Sequence, residues 1–150
     1  MSDPEILKLE EFLPYRLSIL SNTVSNSIAD GYRGRFGLSV PDWRVMAVLA
    51  RFPGSSAQDL VERTKMDKVA VSRSVSRLLQ RGLLLKALSS EDRRRSELCL
   101  SEAGQGLYRE IVPLARAYEE HLLGALSEEH RRVLDEVLDD LLQAARGLGA

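Results

Sequence analysis

Five arginines and one lysine, held in two short stretches, are the side chains here whose type and spacing suit a definite chemistry, the recognition of a polyanion. A guanidinium offers a fork of donors that matches two phosphate oxygens or the O6/N7 edge of guanine. The first stretch is Lys68–Gln80. At about 100° per residue it projects Val71, Val75, Leu78 and Leu79 to one face. Val69, Arg73, Ser76 and Arg77 project to the other, with Ala70 beside them and Lys68, Ser72 and Ser74 on the borders. Small side chains on that outer face let a backbone approach a nucleic-acid groove, and Arg73 and Arg77 then reach bases or phosphates. Lys68 and Ser72, near the helix start, suit phosphate contact aided by the helix dipole. The second stretch is Asp92-Arg93-Arg94-Arg95. An arginine on a loop tip fits the minor groove, whose negative potential attracts it, and Asp92 would orient Arg94 through a salt bridge.

The surrounding sequence predicts the elements that must hold these groups. Pro14 fits the first turn of a helix in which Leu17, Leu20, Val24 and Ile28 recur every three or four residues, and Gly31, Gly34 and Gly37 are expected to weaken and end it. Val40-Pro41-Asp42 restarts a short apolar helix carrying Trp43, Met46 and Leu49, stopped by Pro53-Gly54. Ser56 offers a cap for a helix ending near Thr64, and Asp67 caps the next, from Lys68 to about Gln80, with Gly82 as its stop. Two helices so closely joined form a helix-turn-helix. The run Leu83–Leu88 and the alternating Ser96–Leu100 read as a hairpin with the basic stretch at its tip. Ser101 then caps a helix that Pro113 should kink or perturb and Gly124 ends. Ser127 starts a last helix, with Gly147 and Gly149 expected to leave a frayed tail. The fold class is mainly α with a small β-hairpin wing (α+β).

The net charge of −1 hides an asymmetry. Residues 63–97 carry +6, the preceding segment −2 and the following one −5. A basic centre between acidic flanks is the footprint expected where one segment meets phosphates. No apolar run reaches the ~20 residues of a membrane span. The single cysteine, Cys99, and the acidic start lead to an expectation of a reducing, cytoplasmic setting. No phosphate-cradling glycine loop, metal motif or nucleophile arrangement is present, so no catalytic residue, cofactor or metal is expected. The two histidines, His121 and His130, form no cluster with Cys99 in sequence.

The chain resembles the MarR family of transcriptional regulators over nearly its whole length. The segments that carry the likeness are Gly37-Leu38-Ser39-Val40-Pro41-Asp42-Trp43-Arg44-Val45-Met46, Ser56–Val61, Met66–Arg73, Gly82-Leu83-Leu84, Asp92-Arg93-Arg94 and Leu98–Gly104. The resemblance implies a winged helix-turn-helix over about 37–100 that places the Lys68 helix in the major groove and the wing in the minor groove of double-stranded DNA. It also implies helices at about 6–34 and 101–147 that form a homodimer matched to a palindromic operator, and a small-molecule effector that alters operator affinity. Phe12, Leu13, Leu134, Leu138, Leu141 and Leu142 are apolar side chains that isologous pairing would bury.

The stretch Leu13–Asn22 is similar to the first helix of members that answer aromatic acids or their CoA thioesters, so the expected function is a repressor released by such a ligand. Arg16 would pair a carboxylate while Tyr15 and Trp43 flank a ring. Arg16 in a structural salt bridge stays an open alternative, and Trp43 as core is the simpler reading. Two other functions stand beside this one: a thiol redox-responsive regulator using Cys99, and a DNA-binding structural protein indifferent to sequence.

Overall fold

The structure, a computed structural model, describes residues 5–89, 91 and 95–148. A single 3-10 turn, Leu9–Glu11, precedes α1 (Leu13–Phe36), α2 (Val40–Arg51), α3 (Ala57–Thr64) and α4 (Lys68–Gln80). The hairpin β1 (Leu84–Leu88) and β2 (Ser96–Leu100) follows, then α5 (Glu102–Leu123) and α6 (Glu128–Leu148). The mainly α fold with a β-hairpin wing is the one expected.

Side-chain caps explain where the helices begin. Ser39 and Asp42 form a reciprocal capping box at the start of α2, and Ser56 and Asp59 form another at α3. The Asp67 carboxylate accepts the Ala70 N–H at 2.8 Å and starts α4. Such caps contribute about 1 kcal/mol each.

Several helix ends differ from expectation. α1 runs through Gly31 and Gly34 and stops only at Gly37, whose φ of 65° lies in the left-handed region that glycine tolerates best. α6 likewise continues through Gly147, while Gly149 lies outside the described residues. An interior glycine costs a helix only about 1 kcal/mol, so neighbouring turns carry the helix past it. Pro113 sits inside a continuous α5, and its missing N–H leaves the Arg109 carbonyl without its i+4 donor.

The chain divides into two compact units, Met1–Arg109 and Glu110–Ala150. In the first, Leu38, Val45, Met46, Leu49, Leu60, Val71 and Leu78 are fully buried, so the core lies where α2, α3 and α4 meet. The hairpin is antiparallel, pairing Leu84 with Leu100 and Leu88 with Ser96. Ser55 adds an isolated bridge to Leu98, which the sequence pattern did not reveal. In the second unit, the turn at Gly124 joins the end of α5 to α6, and Arg131 pairs with Glu120 across it at 3.4 Å.

Candidate nucleic-acid interface

Helix α4 stands on a short turn after α3. Lys65 ends α3 in the left-handed region at φ 60°, and the Met66 N–H donates to the Thr64 hydroxyl. The buried side of α4 is Val71, Ser74 and Leu78, with Val75 and Leu79 half-buried. Lys68, Val69, Ser72, Arg73, Ser76 and Arg77 are exposed, and Ala70 is half-buried beside them. The outward face therefore matches the helical projection, with one difference: Ser74 lies fully inside rather than on a border.

The reason is a polar knot between α4 and the start of α2. Arg77 Nη2 donates to Asp42 Oδ1 at 2.8 Å and to the Ser74 hydroxyl at 3.1 Å. Burial would push the Asp42 carboxyl up. Hydrogen bonds from Arg77, the Ser39 N–H and Ser74, together with the Arg77 charge, outweigh that and hold it below the usual aspartate range. The knot aims Arg77 at the protein, but 47% of its side chain stays exposed. Arg73, by contrast, has no partner among the described residues.

Arg81, just past the end of α4, donates from Nη1 to the Gly37 carbonyl and from Nη2 to the Phe36 carbonyl, each at 3.0 Å. It thereby caps the C-terminus of α1 with a positive charge. Nothing in local sequence marks this residue, because its acceptors lie about one domain-half away along the chain and are backbone atoms.

Asp92, Arg93 and Arg94, the wing tip, lie outside the described residues, and so does the expected Asp92–Arg94 salt bridge. Arg95 is described, and it pairs with Asp59 of α3. The Asp59 carboxylate also accepts the Ser56 N–H at 3.0 Å. That backbone bond, with the Ser56 hydroxyl and the Arg95 charge, outweighs desolvation and keeps its pKa below the ordinary value. The base of the wing is closed by Ser89 N–H donating to the Arg95 carbonyl at 2.8 Å. Lys86 and Arg95 face α3 across an open groove that also includes Gln58.

The three residues expected around a ligand do not come together within one chain. Trp43 is half-buried, stacked on Tyr108 at 5.5 Å and edge-on to Tyr32 at 5.8 Å. Tyr15 and Arg16 are exposed in the first turn of α1, whereas Tyr32 lies near its end. At 1.5 Å per residue that separates Tyr15 from Tyr32 by about 25 Å. Trp43 thus belongs to an aromatic cluster with Tyr32 and Tyr108. Cys99 is half-buried on β2, paired across the hairpin with Leu85. Among the described residues no group of histidine, cysteine and carboxylate side chains could hold a metal, and no helix is long and apolar enough to cross a membrane.

Both ends of the chain leave apolar side chains in solvent. Phe12 and Leu13 are exposed at the start of α1, as are Leu138 and Leu142 on α6, with Leu134 and Leu141 half-buried.

Comparison with known proteins places this geometry. The sequence model of the MarR family matches residues 36–95. The MarR family transcriptional regulator SPO1453 of Silicibacter pomeroyi DSS-3 is similar in structure, with a TM-score of 0.78 and 30% identity over 93% of this chain and 99% of that one. The homoprotocatechuate degradative operon repressor of Escherichia coli is 25% identical over 72% of this chain and 73% of its own length. Staphylococcus aureus MepR, solved as a complex with DNA, has a TM-score of 0.82 over 89% of this chain and 98% of that one; at 19% identity the likeness is one of fold.

Proposed function

Because the chain belongs to the MarR family of DNA-binding transcriptional regulators, we propose that it works as a homodimeric repressor whose hold on a palindromic operator is released by a small ligand. The observation that carries the DNA reading is the outer face of α4. Val69, Arg73 and Ser76 stand exposed over buried Val71, Ser74 and Leu78, and Arg73 is uncommitted among the described residues. In this reading α4 enters the major groove, with Ala70 allowing close approach and Lys68 and Ser72 on phosphates. Arg93 and Arg94 take the minor groove, with Asp92 orienting Arg94. Arg77 and Arg95 chiefly hold α4 and the wing in place, through Asp42 and Asp59. The test is titration of the duplex upstream of the chain's own gene and of a scrambled duplex, at several salt concentrations. A preference of about 10³ or more is expected. Equal affinity would overturn the regulator reading and leave a structural DNA-binding protein.

In the proposed division of the chain, residues 37–100 read DNA and residues 6–34 and 101–147 pair the two copies. The exposed apolar side chains Phe12, Leu13, Leu138 and Leu142, with Leu134 and Leu141, support a covered surface, and a two-fold pair would space two reading helices for a palindrome. The double substitution Leu138→Glu, Leu142→Glu should give monomers in sedimentation velocity and weaken operator binding about a hundredfold through lost bivalency. A variant that stays dimeric removes α6 from the interface.

The repressor role is supported by the likeness to the homoprotocatechuate degradative operon repressor of Escherichia coli. For the effector, an aromatic acid or its CoA thioester, Arg16 is the proposed partner of the acid's carboxylate, with Tyr15 and Trp43 as the proposed flanks of its ring, although Trp43 stands in the Tyr32–Tyr108 cluster and apart from the other two within one chain. Calorimetry with aromatic carboxylates should show binding that falls at least tenfold in Arg16→Ala, as loss of a charged hydrogen-bonded pair of about 1.5–3 kcal/mol requires. Unchanged affinity would exclude Arg16.

A further inference from the structure

Helix α1 ends beside the reading helix, and a cleft of about 530 Å³ opens between them. Arg33 of α1, Ser39 and Asp42 of the α2 start, and Ala70, Arg73 and Arg77 of α4 line it. Its charges are unbalanced, three guanidinium groups against one carboxylate, and Arg77 already holds that carboxylate. Arg33 and Arg73 are exposed and neither has a partner among the described residues. Two unpaired cations facing one cleft repel each other unless an anion enters. The carbonyls at the end of α1 would oppose such an anion, but Arg81 covers those of Phe36 and Gly37. Ala70 and Arg73 also belong to the outer face of α4, so the cleft opens on the side that faces DNA in the reading above.

We propose that this cleft seats a backbone phosphate of the bound duplex, with Arg33 as its ligand, so that DNA contact extends from α4 onto the end of α1. The proposal rests on the regulator reading and adds a residue that the helix and wing alone do not supply. A phosphate held here carries no sequence information; it fixes the angle at which α4 meets the groove.

The test uses the full chain, the duplex upstream of its own gene and a scrambled duplex, read by fluorescence anisotropy across a salt series. Arg33→Ala should weaken both duplexes by the same factor, roughly three- to tenfold, and lower the slope of log affinity against log salt by about one per chain. Arg33→Lys should keep the slope, because a lysine also neutralises a phosphate. The melting temperature should not move in either variant, since the Arg33 side chain ties nothing down among the described residues. An unchanged slope in Arg33→Ala overturns the proposal. So does a loss confined to one duplex, which would make Arg33 a reader of sequence. Stabilisation of the wild type by inorganic phosphate, lost in Arg33→Ala while the DNA slope stays, would make the cleft a small-anion site and overturn it as well. A wild-type protein without preference between the duplexes overturns only the regulator reading, because the slope on the scrambled duplex still decides Arg33.

Discussion

Gly104→Ala should destabilise the fold by about 3 kcal/mol or more, although alanine is the better helix former by about 1 kcal/mol. Gly104 lies in the first turn of α5, where a Cβ would stand 2.1 Å from the Leu83 carbonyl oxygen and 3.1 Å from its carbon. That oxygen cannot swing aside, since it is backbone and already accepts the Ser101 N–H at 2.9 Å. Ser101 in turn donates its hydroxyl to the Gly82 carbonyl and accepts the Gly104 N–H. The start of α5 is thus clamped directly onto the turn that leads from α4 into β1, and a methyl group must push the two apart. Denaturant unfolding checks this: the midpoint should fall with little change in slope. Gly31→Ala and Gly34→Ala serve as controls, because beyond the adjoining residues and the helix's own backbone nothing lies within 4 Å of a Cβ at either site. These should be neutral or stabilising by up to about 1 kcal/mol. A neutral Gly104→Ala would mean that the α5 start is not held against Leu83.

The largest functional effect is expected for Arg73→Ala. An arginine bidentate to a base edge contributes about 1–3 kcal/mol of discrimination. With one such contact in each half-site, the preference for operator over scrambled duplex should drop by a factor on the order of 10²–10⁴. Because Arg73 has no partner among the described residues, its loss should leave the melting temperature in place. This separates it from Arg77, whose removal would strand the buried Asp42 carboxylate. Equal weakening on operator and scrambled duplex would assign Arg73 to a phosphate instead.

What could be read in the sequence was what is local. Ser56, Asp67 and Ser101 mark helix starts because a cap needs only the next three residues, and the α4 outer face follows from helical geometry alone. The polar ties were not legible, since their partners are remote in sequence: Asp42 and Arg77 are 35 residues apart, Asp59 and Arg95 36. Their pairing decides whether an arginine faces DNA or the protein, and no spacing rule shows it. Ser74 illustrates the same limit. A hydroxyl at a border position turns inward only because Asp42 and Arg77 wait there. Trp43 and Tyr15 carry side chains suited to a common ring site, but only the length of α1 reveals the distance between them. Gly31, Gly34 and Gly147 misled in the other direction, because a weak local preference gives way to continued helix.

Arg81 bears on the dynamics of the molecule. Its two bonds join the final turn of α1 to the end of α4. Fraying of either end releases the guanidinium and leaves the other's carbonyls or cation unsatisfied. Opening of one segment is therefore expected to favour opening of the other, so that loosening of α1 would reach α4 through a change in local unfolding rather than through a displaced rigid rod.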